Sequence, residues 1–486
     1  MIAGSPFLKR LRLVAWELCA FVLVLVSCAP PQAPAPVPSP VTSPVVTVAP
    51  PAAQISLGAD DRILILAPHP DDETIPTGGI IQKAVAMGLP VRVVYLTNGD
   101  ANQWSFLVYR KRPEVGARAI GNMGEVRRSE AISASQVLGL RRDQLTFLGY
   151  PDFGNLQIWD RHWGDSPPYR GLLTGATAVP YADAYRPGAA YRGEEVLHDI
   201  ESIIRDFKPT KIFVSHPADQ NPDHLALYLF TRVALWNLAN EIRPEVFPYL
   251  VHYPHWPDPR GLHPDAAVAP PAALAADVDW LIEPLNPTEL DIKRSALQQH
   301  KTQYEVNRRY LNSFLRTNEL FGDMPPVKLE PRDAEVNVSQ RALLHEGRTT
   351  EQLTDEERAR FVGLETRSIR LEGTDLVFSM EFSSPLADGV EASAYLFGYR
   401  PDVPFAQMPK LHVKFSDIGH QVYDGQKELS SSAVIVDRAQ SKISLRVPVE
   451  LLGSPERILF NGRTYLGDLP LDSVEWRVLS LPGDSG

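Results

Sequence analysis

A largely parallel α/β sheet with helices on both faces, followed by a smaller all-β domain, is the fold class this 486-residue sequence predicts. Three observations carry the prediction. Strand-length apolar runs alternate with helical-period segments from residue 62 to about 239. Clusters rich in histidine and aspartate stand directly after two of those runs, at residues 69–73 and 216–224. From about residue 365 the helical period gives way to short alternating strands. Hydrophobic content of 44% and charge of 22% are those of a globular protein, and 486 residues exceed what one core usually holds. The formal net charge is −11 with no Lys/Arg block in the body of the chain, which argues against a nucleic-acid partner.

The N-terminus reads as an address, not as fold. Lys9, Arg10 and Arg12 precede the apolar run LVAWELCAFVLVLVS, which ends at Cys28. A basic region followed by an apolar stretch too short for a comfortable span is the pattern of an export signal. Leu25-Val26-Ser27-Cys28 resembles the lipobox of bacterial lipoproteins, in which the cysteine becomes the acylated first residue; an uncleaved anchor is the alternative. Residues 1–28 are therefore expected to be a lipoprotein-type signal segment. It would leave the chain lipid-anchored to a membrane and exported into the bacterial cell envelope, at the outer membrane or periplasm of a Gram-negative host. Cys19 and Cys28 are the only cysteines, so the body is expected to hold neither a disulfide nor a cysteine-ligated metal. Residues 29–57 are proline-rich and predict a semi-rigid extended linker.

Residues 58–325 predict the α/β domain. RILILA (62–67) is a continuous apolar run, as expected of a strand buried on both faces. GGIIQKAVAMG follows with helical period and ends at Gly88, a natural helix stop. PVRVVYLTNGD (90–100) is the second strand, GEVRRSEAISASQVLGL (124–140) an amphipathic helix and QLTFLGY (144–150) the third strand. After an insertion come the helix GEEVLHDIESIIRDFKP, the strand KIFVSH (211–216) and the helix DHLALYLFTRVALWNLA. In such sheets ligands bind at the carboxyl ends of the strands, and both polar clusters fall there.

Those clusters suit a metal. His69 and Asp72 with a second histidine would give two nitrogens and one carboxylate around zinc, leaving a position for water. His216 and His224 are the candidates for that histidine, and His224, preceded by Asp223 at the start of its helix, is favoured. Asp71 on the same turn is left to act as base. No G-x-G-x-x-G follows the first strand and no G-x-S-x-G elbow occurs, which sets aside dinucleotide binding and serine hydrolysis.

APHPDDE (67–73), VVYLTNGD (93–100), EVRRSEAISASQVLGL (125–140), FLGYPD (147–152), NPDH (221–224) and ALQQHKTQ (296–303) resemble, in order, the motifs of the PIG-L/LmbE-like zinc-dependent deacetylases. The likeness runs from about residue 60 to 325. It implies a Rossmann-like fold that removes N-acetyl groups from N-acetylglucosamine-like sugars. It implies His69, Asp72 and His224 as zinc ligands, though another divalent ion would serve, and Asp71 as general base. Arg127, Asp152 and His300 are the matching substrate-binding positions. The family usually has a histidine three residues before the last ligand, where this chain has Asn221. An amide can hydrogen-bond an oxyanion but cannot deliver a proton, so His216 is the expected replacement and Asp219 the weaker one. Asp223 is counted with the catalytic set and Asn221 with the substrate contacts.

Between Asp152 and Glu194 the insertion carries Trp159, Trp163, Tyr169, Tyr181, Tyr185 and Tyr191. They fit either stacking on sugar rings or packing of the insertion on the body. VHYPHWPDPRGLHP (251–264) holds three histidines, expected to line a rim more than to bind metal. Residues 326–364 read as a linker with a short helix, and 365–486 as a sandwich-like β domain, either a structural appendage or a glycan-binding module. The leading expectation is a membrane-tethered zinc de-N-acetylase of an N-acetylated sugar or glycan. The alternative is a non-catalytic glycan-binding lipoprotein that keeps a degenerate deacetylase fold.

Overall fold

Ile63–Ala67, all five residues buried, forms an interior strand of an eight-stranded sheet in a computed structural model. The structure describes residues 53–101, 117–330, 336–339, 354–386, 389–467 and 469–482, so the segment read as an export signal and most of the proline-rich stretch lie outside the described residues. In chain order the sheet's strands are β1 (Ala53–Gln54), β2 (Ile63–Ala67), β3 (Val91–Thr97), β4 (Leu145–Tyr150), β5 (Lys211–Ser215), β6 (Glu245–Tyr249), β7 (Asp279–Pro284) and β8 (Asn318–Asp323). Their spatial order is β1-β7-β8-β6-β5-β2-β3-β4. The five strands from β6 to β4 are mutually parallel, while β8 runs antiparallel to β6 and β7. β1 joins the far edge parallel to β7, so the sheet begins inside the stretch read as linker.

The helices are α1 (Gly78–Ala86), α2 (Ala117–Val137), α3 (Asn155–Arg161), α4 (Gly193–Phe207), α5 (Pro222–Asn237), α6 (Pro287–Leu297) and α7 (Lys301–Leu311). Alternation along β2 explains why both faces are covered. Ile63, Ile65 and Ala67 enter one core with Ile80, Ile81 and Leu138, while Leu64 and Leu66 enter the other with Ile200, Ile204 and Phe230. From β2 the chain winds one way through β3 and β4, then returns to build β5 and β6 on the other side. The crevice beyond β2 and β5 is therefore the topological switch point where α/β sheets bind ligands.

The C-terminal part is a two-sheet sandwich. One sheet holds β10 (Val336–Ser339), β11 (Leu364–Glu372), β12 (Asp375–Phe382), β18 (Lys442–Pro448) and β17 (Ile435–Ala439) in that order. The other is ordered β16 (Lys427–Leu429), β15 (His420–Asp424), β14 (Lys410–Phe415), β13 (Val390–Tyr399), β19 (Arg457–Leu466), β21 (Arg477–Ser480) and β9 (Val327–Lys328). Ile369, Phe378 and Leu445 from the first meet Leu396, Val413 and Phe460 from the second in one core.

The sandwich is not a detached module. Trp159 and Trp163 of the insertion are buried with Phe230 of α5 against Phe397, Phe405 and Trp476 of the β domain. Beside them Arg463 Nη1 donates to Asp160 Oδ2 at 2.7 Å, an ion pair with almost no solvent exposure. Of the two roles the sequence left open for the insertion's aromatics, both tryptophans pack; Tyr191 is also buried, Tyr181 donates to Asp100, and Tyr185 remains exposed. Among the described residues no helix is long and apolar enough to cross a membrane.

Candidate functional site

The turn after β2 delivers four ionisable side chains in five residues: His69, Asp71, Asp72 and Glu73. Its backbone is held by bonds from Asp72 N to His69 O and from Ile75 N to Asp71 O. Asp71 has φ 131°, a region that costs a non-glycine residue and persists only where surroundings impose it. Here Asp71 N donates to Glu73 Oε2 at 3.0 Å, while Arg127 Nη2 donates to Pro70 O at 2.8 Å. Arg127 Nη1 also reaches Gly99 O at 2.8 Å. A side chain at Gly99 would meet that guanidinium at 2.0 Å, which explains the glycine after β3.

His69, Asp72 and His224 are brought together. His69 Nδ1 lies 3.2 Å and His224 Nε2 3.0 Å from the same Asp72 Oδ2, and all three residues are buried. The His69 Nε2 side faces Asp152 Oδ1 and Asp223 Oδ2, each at 3.2 Å. One potential ligand atom from each of His69, Asp72 and His224 falls within 4.8 Å of the others, and the same holds for His69, Asp152 and Asp223. His224 Nε2 has no hydrogen-bond geometry towards any partner despite its short contact with Asp72. His69 Nδ1 is hydrogen-bonded to Asp72 Oδ2 at 3.2 Å, so the unpartnered nitrogen is that of His224; two imidazoles and a carboxylate converging at one buried point fit a divalent cation of the zinc type.

The electrostatics agree. Burial pushes Asp71 up to about 7, with the Arg127 guanidinium pulling the other way. Burial also acts to raise Asp72, but the neighbouring imidazoles of His224 and His69 hold it well below the usual carboxylate range. Burial would lower His224; Asp219 and Asp72 outweigh it and raise it to about 9. His69 is likewise raised against burial by Asp152, Asp223 and Asp72. The carboxylates thus create a field that favours positive charge at this point.

Asp71, Asp72, His69, Arg127, Asp152 and Asn221 all line a cavity of about 120 Å³. Three other assignments change. His216 is off the cavity wall: its ring stacks on Trp280 of β7 at 5.6 Å, its Nδ1 accepts from Ala218 N, and burial lowers it to about 4. It stands at the strand end, as expected, but turns to the side covered by β7. His300 is also behind the wall, its Nε2 donating to Glu73 Oε1 at 2.8 Å, so it braces the turn and is not part of the cavity lining. Asp223 is fully buried; besides its contact with His69 it accepts from Phe153 N and from Asn155 N and Nδ2, which makes it a positioning residue.

Asp219, the weaker replacement donor, is committed too. Its Oδ2 lies 3.1 Å from His224 Nδ1 and accepts from Val251 N and His252 N. Orienting a ligand imidazole through its second nitrogen is the usual task of such a carboxylate. Asn221 caps α5, its side chain accepting from Asp223 N at 2.9 Å. The cavity also draws in Phe153, His252, Gln303, Asn307 and Tyr310. Of these, His252 was legible as a histidine just past a strand, the same signal that singled out His69. Gln303, Asn307 and Tyr310 come from α7, far along the chain, and α7 departs from helical dihedrals at Asn307.

Fold and side chains define the class first: an α/β domain with an imidazole–carboxylate site fit for a divalent metal at the carboxyl edge of its sheet. Residues 64–235 match the family described as PIG-L: GlcNAc-PI de-N-acetylase. A 1D-myo-inositol 2-acetamido-2-deoxy-alpha-D-glucopyranoside deacetylase of Saccharopolyspora erythraea is 28% identical over 192 residues, 39% of this chain and 58% of the relative. The protein of the same description from Rhodococcus jostii is 26% identical over 267 residues, 51% of this chain and 83% of the relative. The chain thus spans little more than half of the first relative's length. Among solved structures, an N,N'-diacetylchitobiose deacetylase from Pyrococcus horikoshii aligns over 54% of this chain and 82% of its own, at 20% identity and TM-score 0.34. A deacetylase of teicoplanin biosynthesis aligns over 54% and 96%, at 19% identity and TM-score 0.36.

Proposed function

We infer that this chain is a metal-dependent amide hydrolase that removes the acetyl group from an N-acetylated, N-acetylglucosamine-like sugar in a glycan or glycoconjugate. The observation that carries the reading is the buried His69–Asp72–His224 cluster with Asp71, a carboxyl raised to about 7, on the same turn. The family matched over residues 64–235 supports the substrate class.

His69, Asp72 and His224 would hold the cation, with zinc the best fit to two imidazoles and a carboxylate. When bound, such an ion supplies Lewis acidity and makes water nucleophilic near neutral pH. The remaining work falls to the chain. Asp71 takes a proton from the attacking water as its oxygen bonds to the acyl carbon. As the C–N bond breaks, the carboxylic acid so formed returns that proton to the departing amine, and acetate and free amine leave. Arg127 Nη2, 3.6 Å from Asp71 Oδ1, holds that carboxyl towards the cavity. Asp152 faces the cavity as an acceptor for a sugar hydroxyl, and Phe153, 49% exposed, offers a ring face at its mouth. The small cavity suits the acetamide end of the sugar, with the remainder lying outside.

The Cys28 lipobox motivates the further proposal that the enzyme works at a membrane surface in the cell envelope, held there by lipid. Acetate release from N-acetylglucosamine oligomers, with and without chelator, tests the activity; labelling by a radioactive fatty acid that is lost in Cys28→Ala tests the anchor. Chelator-indifferent turnover, or no release from any N-acetyl sugar, would overturn the hydrolase reading.

A further inference from the structure

Asn221 and His252 stand together at the cavity, on the loops that leave β5 and β6. Gln220 N donates to His252 O at 2.8 Å, tying the two loops. Val251 N and His252 N both donate to Asp219 Oδ2, at 3.0 and 2.9 Å. One carboxylate therefore sets the position of His224 and of the backbone that carries His252.

The ring of His252 is equally constrained. It lies edge-on to His224 with centroids 4.8 Å apart, and nearly parallel to Tyr310 at 6.1 Å. Tyr310 is itself fixed, donating to Val251 O at 2.7 Å. Yet among the described residues the ring nitrogens of His252 make no hydrogen bond, while those of His69 face carboxylates and His300 is held by Glu73. His252 is the one imidazole on the described cavity wall with an uncommitted nitrogen. Its neighbour Asn221 accepts from Asp223 N through its carboxamide oxygen, which leaves its amide N–H as a second donor beside that ring.

Amide hydrolysis builds negative charge on the acyl oxygen, and a donor fixed in advance at that position is among the largest single contributions to such rates. We propose that His252 is a catalytic residue of this hydrolysis, its neutral ring donating an N–H hydrogen bond to the acyl oxygen of the bound acetamide. The inference rests on the hydrolase reading above. The proton stays on the ring throughout, so the role needs no change of charge on His252.

The test uses the full-length, metal-loaded protein and three measurements. His252→Phe keeps a ring against Tyr310 but has no N–H, and its kcat is expected to fall about 100-fold with KM and bound metal within about twofold. His252→Gln, which restores a side-chain N–H without a ring, is expected to keep at least about tenfold more kcat than His252→Phe. A merely structural ring predicts the reverse order, and that order overturns the proposal. The third readout is independent of turnover: the imidazole 15N resonances of His252, assigned by their absence from the Gln variant, are followed as N-acetylglucosamine is added. They are expected to shift on binding. If the sugar binds and they do not move, or if it does not bind at all, the proposal is wrong. If they shift but no acetate is ever released, the hydrolase reading falls while the contact stands.

Discussion

Replacing Arg463 with methionine probes how firmly the β domain is built into the α/β one. Arg463 is 6% exposed and its partner Asp160, on α3, 4%. The guanidinium donates to Asp160 Oδ2 at 2.7 Å and to Asn461 Oδ1 at 2.9 Å, and lies over the rings of Tyr395 (4.5 Å) and Trp476 (5.7 Å). Methionine keeps much of the apolar contact but strands the Asp160 carboxylate in the interior. Removing one partner of a buried pair costs ~3–5 kcal/mol, mostly as the desolvation of the charge left behind. With a urea dependence at the upper end of the usual range, ~3 kcal/mol per molar, the unfolding midpoint should fall by ~1 M or more. The paired variant Asp160→Leu/Arg463→Met removes both charges and should regain more than half of that loss, which a double-mutant cycle reads as coupling. Function should follow, because α3 carries Asn155 at its start and Asn155 holds Asp223 against His69. An Arg463→Met protein within ~1 kcal/mol of wild type, with additive single and double variants, would refute the reasoning.

Other outcomes follow from the same structure. A chain ending at residue 325 would bare Trp159, Trp163 and Phe230, so it should be insoluble or molten by near-ultraviolet dichroism, whereas a detachable module would leave a folded, active core. Lys410 is buried under Phe405 and Trp163, and burial lowers it to about 7. The unfolded chain then binds more protons between about pH 7 and 10.5, so this lysine's share of stability grows as pH rises through that window; Lys410→Met should remove that rise from melts taken at several pH values. His216→Gln should lower the melting temperature through lost packing on Trp280 yet leave kcat within about threefold of wild type, since the side chain is off the cavity wall.

How much could be read in advance depended on sequence separation. β2, β3, β4 and β5 were legible because a strand buried on both faces must be continuously apolar, and the helices between them carry one apolar stripe. His69, Asp71 and Asp72 were legible because one turn contains them all. His216 was not placed correctly, because only the pairing of β7 with β8 and of β8 with β6 puts Trp280 beside it. The same order brings His252 to the cavity across two loops that no local pattern connects. Trp159 and Trp163 looked like loop aromatics because the rings that bury them, Phe397, Phe405 and Trp476, lie in a different domain.

The central claim is a metal held by His69, Asp72 and His224 with Asp71 free to move a proton. Metal content and acetate release, measured together on wild type, Asp71→Asn and His224→Ala, test it most directly. The account predicts one divalent ion per active wild-type chain, metal without turnover in Asp71→Asn, and neither in His224→Ala. A His224→Ala protein that keeps both its metal and its turnover would contradict it.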